Sequence, residues 1–191
     1  MRPPNFYQSY LSPEWHKDIE NNADFYSHDN QAFYVKVLKE FNHKTEKPIV
    51  FLPCASQKPI SKSVTHGFLK AITKNENFEK IIISEPQTVI PYALEKHCPD
   101  YDYPPGNLTI RDRWQLVRRL GIFLGFLKDK EPKRKRIYYI GSKHHCFILQ
   151  DALLNVSYCF NLIYTIPAYG IRDYAKYAKE FSLIIKKIED I

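Results

Sequence analysis

Four short apolar runs stand out along the chain, each bounded by charge or proline. They are "KPIVFLP", "EKIIIS", "KRIYYIG" and "FNLIYTIP". Their apolar residues are consecutive rather than alternating, which is the pattern of strands buried on both faces. Segments of helical periodicity stand between them. In "NQAFYVKVLKEF" the residues Phe33, Val37, Leu38 and Phe41 fall on one face. "SVTHGFLKAIT" reads as a helix capped by Ser61 or Ser63, and "TIRDRWQLVRRLGIFLGFLKD" as a long helix capped by Thr109. "KHHCFILQDALLN" and "IRDYAKYAKEFSLIIKKIE" are further helices, and "LSPEWHKDIE" has Ser12, Pro13 and Glu14 in the order of a helix start. This alternation predicts a three-layer αβα fold of the α/β class, with a mainly parallel sheet of about four strands and right-handed crossovers. Residues 1–191 are expected to form a single domain.

The least regular segment is "EPQTVIPYALEKHCPDYDYPPGN", with prolines at 86, 91, 99, 104 and 105. A helix from about Pro91 to His97 is expected inside it, and the rest is extended or turning. A long ordered connection of this kind in a compact domain is often functional.

Composition narrows the classes. The 191 residues are 44% hydrophobic and carry a formal net charge of +7. That is a globular, basic protein, for which an anionic partner such as RNA is the expectation and a merely lysine-rich soluble protein the plain alternative. No apolar run approaches the length of a membrane span, and "MRPPNFYQSYLSPEWHKD" has no apolar core of an export signal. The four cysteines, Cys54, Cys98, Cys146 and Cys159, form no C-x-x-C pair. A cytoplasmic protein with reduced thiols is therefore expected, without a zinc knuckle.

The densest chemistry lies in "PCASQKPISKSVTH", Pro53 to His66. Ligands of open parallel sheets bind beyond the carboxyl ends of the strands, and Cys54 follows such an end. Lys58, Lys62, His66 and the start of the next helix all favour a thiolate there. Ser63 and His66 share a helical face, so a hydroxyl and an imidazole could act together. The plainer reading is a small buried cysteine beside solvated lysines.

The pattern Pro53-Cys54, three residues, Lys58-Pro59, three residues, Ser63, two residues, His66 resembles the signature of the archaeosine synthase family, which modifies archaeal tRNA. Ile60 stands where that family has tyrosine. A second stretch is similar through Ser84, Pro86, Pro91, Leu94, Glu95, Pro99, Tyr101, Asp102 and Pro104, with Glu85 interrupting a Ser-Pro pair. The resemblance implies transfer of an amine, with lysine the expected donor, to the nitrile of 7-cyano-7-deazaguanine in the tRNA D-loop. It implies Cys54 as nucleophile, His66 as acid/base, Lys58 as charge stabiliser and Ser63 as hydrogen-bonder. Pro53, Pro59, Glu95 and Asp102 are expected to bind substrate, either carboxylate being able to hold the donor ammonium. The family usually carries a transglycosylase-like region and an RNA-binding PUA domain around this one. The chain reads as the signature domain standing alone, working with a separate tRNA-binding subunit and a radical-SAM protein. The alternative is a noncatalytic RNA-binding or assembly subunit. A generic cysteine hydrolase is a weaker reading, because no glycine-rich oxyanion elbow is evident.

The run "KDKEPKRKR" brings Lys133, Arg134, Lys135 and Arg136 together as candidate phosphate contacts, with a solvated loop as the alternative. "SKHHC" puts His144, His145 and Cys146 at the end of the third apolar run. Adjacent helical residues diverge, so these three alone make poor metal ligands. No metal and no cofactor is expected.

Overall fold

The computed structural model of the protein describes residues 27–41, 47–73, 78–101, 103, 108–130, 135–156 and 160–167. The expected helices near Ser12 and after Ile171, together with Asp102, Lys133 and Arg134, lie outside the described residues. Among the described residues no helix is long and apolar enough to cross a membrane.

Each helix starts where a short polar side chain can satisfy its first N–H groups. Helix α1, His28–Glu40, is capped by Ser27, whose hydroxyl accepts from the Asn30 N–H at 3.3 Å. It buries Phe33 and Val37 of the apolar face read from the spacing, together with Tyr34. Strand β1, Ile49–Leu52, is wholly buried. A 3-10 turn at Ile60–Lys62 leads into α2, Val64–Ile72. Next come β2, Glu79–Ser84, then β3, Thr88–Pro91, and a 3-10 helix at Tyr92–His97. Helix α3, Ile110–Lys130, opens on a reciprocal cap: the Thr109 hydroxyl accepts from the Asp112 N–H at 3.2 Å, and the Asp112 carboxylate accepts from the Thr109 N–H at 3.2 Å. Strand β4, Lys135–Gly141, helix α4, Lys143–Leu154, and strand β5, Phe160–Pro167, complete the described elements.

The sheet order is β3-β2-β1-β4-β5. β1 is parallel to both β2 and β4, and β4 is parallel to β5, so the four expected strands form the parallel sheet. The fold is the expected α/β arrangement, with helices flanking the sheet in three layers. β3 is an addition: it is antiparallel to β2, with Ser84 opposite Thr88 and Pro91 opposite Ile81. A four-residue strand with a proline at its end gives little signal in the sequence, and the sheet edge is where such a strand is tolerated. The helix expected from Pro91 is a 3-10 helix that follows it.

The chain leaves β1 for β2 on one side and later returns to place β4 on the other. The connections β1 to β2 and β4 to β5 run outward in opposite directions, for which the right-handed default puts the connecting helices on opposite faces. Helix α1 packs on α3 through Phe41 and Phe123, whose rings lie 5.7 Å apart, and through the Tyr34 hydroxyl, which donates to the Arg119 carbonyl at 2.6 Å. Helix α3 in turn packs on α4. The reversal of direction between β1 and β4 creates a topological switch point, whose crevice lies beyond the carboxyl ends of these strands. There the two segments come close: a Cβ on Gly141 would lie 3.3 Å from the Pro53 Cβ.

Candidate functional site at the carboxyl ends of β1, β2 and β4

Three neighbouring strands each deliver one reactive side chain to the switch point. Cys54 follows β1 by two residues, Glu85 directly follows β2, and His145 is the third residue of α4, which begins just after β4. Ligand-type atoms of Cys54, Glu85 and His145 all lie within 4.8 Å of one another. Glu85 is 1% exposed and His145 2%. The His145 Nε2 lies 2.9 Å from Glu85 Oε1 and 3.0 Å from Oε2, and the His144 Nε2 lies 2.9 Å from the same Oε1. The carboxylate therefore sits over the first turn of α4, where the helix dipole favours negative charge. Burial alone would raise the Glu85 carboxyl, but the charge and hydrogen bonds of His145 and His144 outweigh it and hold it well below the usual carboxylate range.

The turn that aims Glu85 is strained. Thr88 has φ 71°, a conformation costly for a β-branched residue, and its hydroxyl is buried with no partner among the described residues. The turn is tied down from outside: Gln87 donates to Asn30, and Arg119 donates to the Pro86 carbonyl at 3.5 Å. The peptide bonds before Pro86 and Pro59 are cis.

Cys54 is partly buried. The expected activation by Lys58, His66 and a helix start is corrected here: burial, with the Glu85 carboxylate adding to it, pushes the thiol up to about 12, against weaker opposing pulls from Lys58 and the Ser84 hydroxyl. Lys58 donates to the Ala55 carbonyl at 2.7 Å and rests 4.2 Å from the centroid of the Tyr101 ring. Tyr101 in turn hydrogen-bonds Ser84.

The other residues of the signature build the loop that carries Cys54. Ser63 caps α2, its hydroxyl accepting from the His66 N–H at 3.2 Å. His66 is fully buried, and its Nε2–H donates to the Pro53 carbonyl at 2.8 Å. A carbonyl only accepts, so Nδ1 is left to accept the Tyr92 O–H. Both nitrogens are thus satisfied with the ring neutral, and burial holds its pKa below the ordinary histidine value. The geometry makes His66 a pin behind Cys54 rather than the expected acid/base. Glu95 accepts from the Ser61 N–H at 2.7 Å and so braces the same loop. Ile60 is buried in the core.

A cavity of about 230 Å³ opens beside the site, lined by Lys58, Pro59, Ile60, Glu95, Cys98 and Tyr101 among others. Lys58 and Tyr101 belong both to the cavity and to the surroundings of Cys54. Of the expected basic residues, Lys135 and Arg136 open β4 at its amino end. Cys54 lies past the carboxyl end of the parallel neighbour β1, so the two are on opposite edges of the sheet.

Glu85 is not among the candidate site residues read from the sequence, and His144 and His145 enter there only with Cys146, as poor metal ligands. The signal for them was available: the strand-end rule that singled out Cys54 also applies after β2 and β4. Cys146, by contrast, turns into the hydrophobic core.

Residues 31–119 match the model of a family described as a domain of unknown function, DUF5591. The matched stretch carries Cys54 and Glu85 and stops before His145. No curated protein matches the chain. Among solved structures, the crystal structure of AF0587, a protein of unknown function, is similar over 78% of this chain with a TM-score of 0.51 and 20% identity. The chain spans 49% of that protein's length, and the likeness is one of fold.

Proposed function

We propose that this protein is the catalytic domain of an archaeosine-synthase-like transferase that adds an amine, with lysine as donor, to the nitrile of 7-cyano-7-deazaguanine in tRNA. The observation that carries this reading is the meeting of Cys54 with the buried Glu85–His145 pair at the switch point. The resemblance of the Pro53–His66 stretch supplies the substrate class. In this reading the Cys54 sulfur bonds to the nitrile carbon while its proton passes to the Glu85–His145 pair. The nitrile nitrogen takes a proton from the Glu85–His145 pair, giving a thioimidate. The lysine amine then forms a carbon–nitrogen bond, the carbon–sulfur bond breaks, and the thiol is restored with an amidine as product. No oxidant or reductant is consumed. The cavity bounded by Lys58, Glu95 and Tyr101 is the proposed seat of donor or base. The tRNA body is taken by the basic run on the other sheet edge, by a separate tRNA-binding subunit, or by both, and a radical-SAM protein completes archaeosine from the lysine adduct.

A second reading has one observation in its favour. Ser63, His66 and Glu95 are all spent on holding the loop, so the signature could survive in a noncatalytic RNA-binding or assembly subunit. The deciding assay incubates nitrile-bearing tRNA with labelled lysine and the protein, with and without candidate tRNA-binding subunits. Transfer of label that is lost in Cys54→Ala and in Cys54→Ser supports the transferase. Tight tRNA binding without transfer in every combination supports the second reading.

A further inference from the structure

The same three strand ends bring together a sulfur, a carboxylate and an imidazole, a donor set that no single segment of the chain contains. Their ligand atoms lie within 4.8 Å of one another. Sulfur, nitrogen and oxygen donors around one zinc ion sit at about 2.0–2.3 Å from it, hence roughly 3.3–4 Å apart in a tetrahedron. The Glu85–His145 contact of 2.9 Å needs to widen only slightly to meet that spacing.

Two further observations point to a cation. Among the described residues, the ion-pair partners of Glu85 are His144 and His145, with no lysine or arginine. A carboxylate buried this deeply requires positive charge beside it, and a metal ion held by the same groups supplies it in place of the imidazolium protons. The Nδ1 of His145 is buried with no hydrogen-bond partner among the described residues. Nε2 is thus the ring nitrogen with a hydrogen-bond partner, and it faces the carboxylate.

We propose that Cys54 Sγ, the Glu85 carboxylate and the His145 imidazole bind one zinc ion. His144 holds the carboxylate from outside as a positioning residue, in the manner of the outer partners that orient metal ligands. A thiolate in the set selects zinc over magnesium or calcium. Three protein ligands leave the fourth position open, which is the arrangement of catalytic rather than structural zinc. The inference uses the same three residues as the amine-transfer reading without depending on it; a zinc-bound thiolate has already lost its proton, and such coordination is one way a nucleophilic cysteine is activated.

The test uses the full chain, stripped with a chelator and titrated with Co²⁺ as a spectroscopic stand-in, without RNA or lysine. The expected result is saturation at one equivalent, with a thiolate-to-cobalt charge-transfer band in the near ultraviolet and strong visible bands of low-coordinate cobalt. Zn²⁺ should displace both. Cys54→Ala should lose the charge-transfer band, while Cys98→Ala and Cys146→Ala keep it. His144→Ala should weaken binding by about 10- to 100-fold with the band retained. Cys54→Ala removes a small, partly buried side chain, so it remains informative if Glu85 or His145 variants do not fold. Absence of saturable binding in the folded wild type, or a charge-transfer band surviving in Cys54→Ala, overturns the site. A silent amine-transfer assay beside intact cobalt binding would count against the proposed activity alone.

Discussion

His145 and Glu85 are 60 residues apart in the chain, yet the imidazole Nε2 touches both carboxylate oxygens, at 2.9 Å and 3.0 Å. Removing Glu85 leaves His145 buried without its partner, and removing His145 leaves Glu85 with His144 alone. Glu85→Gln keeps the shape but loses the charge, and should lower the free energy of unfolding by about 1–3 kcal/mol. Glu85→Ala should cost about 3–5 kcal/mol. Urea unfolding of both variants measures this, and a midpoint unchanged in Glu85→Ala would show that the pair does not hold β2 to α4.

Gly141, the last residue of β4, lies against Pro53, just past the end of β1. A Cβ there would lie 2.5 Å from the Tyr139 hydroxyl and 3.3 Å from the Pro53 Cβ. The hydroxyl is itself engaged, donating to the Ser142 carbonyl at 2.5 Å. Gly141→Ala should therefore displace Tyr139 and push on the Pro53–Cys54 turn, at a cost of about 1–3 kcal/mol from overpacking. Thermal unfolding reads the cost. Under the proposed function, amine transfer should fall further than the stability loss explains.

His66 should make stability depend on pH. Its folded pKa lies below the ordinary value of 6.5 because of burial. Below about that pH the unfolded chain binds a proton that native His66 refuses, so stability is present above it and lost as pH falls. The slope can reach about 1.4 kcal/mol per pH unit for one proton. His66→Asn should be less stable throughout and flatter between pH 7 and pH 5.5. Parallel curves for the two proteins would remove His66 from the acid response.

The proposed tRNA contact makes a salt-dependence prediction. Lys135 and Arg136 begin β4, roughly 20 Å of strand from its carboxyl end. Neutralising Lys133, Arg134, Lys135 and Arg136 together should weaken tRNA binding and flatten its salt slope by about 0.7–0.9 per lost phosphate contact. Transfer of lysine to a nitrile-bearing fragment too short to reach that edge should be unaffected. Affinity and slope equal to wild type would return the run to a solvated loop.

The strand cores and helix faces were legible in the sequence because their signals are local. "KPIVFLP" is apolar at every central position, and so short a run bounded by prolines suits a strand buried on both faces. Ser63 and Thr109 could be read as caps because a cap acts within its own turn of helix. The strand-end rule placed Cys54 correctly for the same reason. The short strand Thr88–Pro91 was not legible, because pairing with β2 decides it rather than any periodicity of its own.

The partners of Cys54 were decided by tertiary structure alone. Which side chains meet at the end of β1 depends on β2 and β4 becoming its neighbours, and sheet order is a long-range choice that the spacing of Pro53 to His66 does not contain. Proximity in sequence favoured Lys58 and His66, yet folding turned His66 inward onto the Pro53 carbonyl and brought Glu85 and His145 to the thiol instead. Burial then reversed the electrostatics read from the charges. Lys58 favours the thiolate, as its charge requires, but withdrawal of the sulfur from water opposes it more strongly.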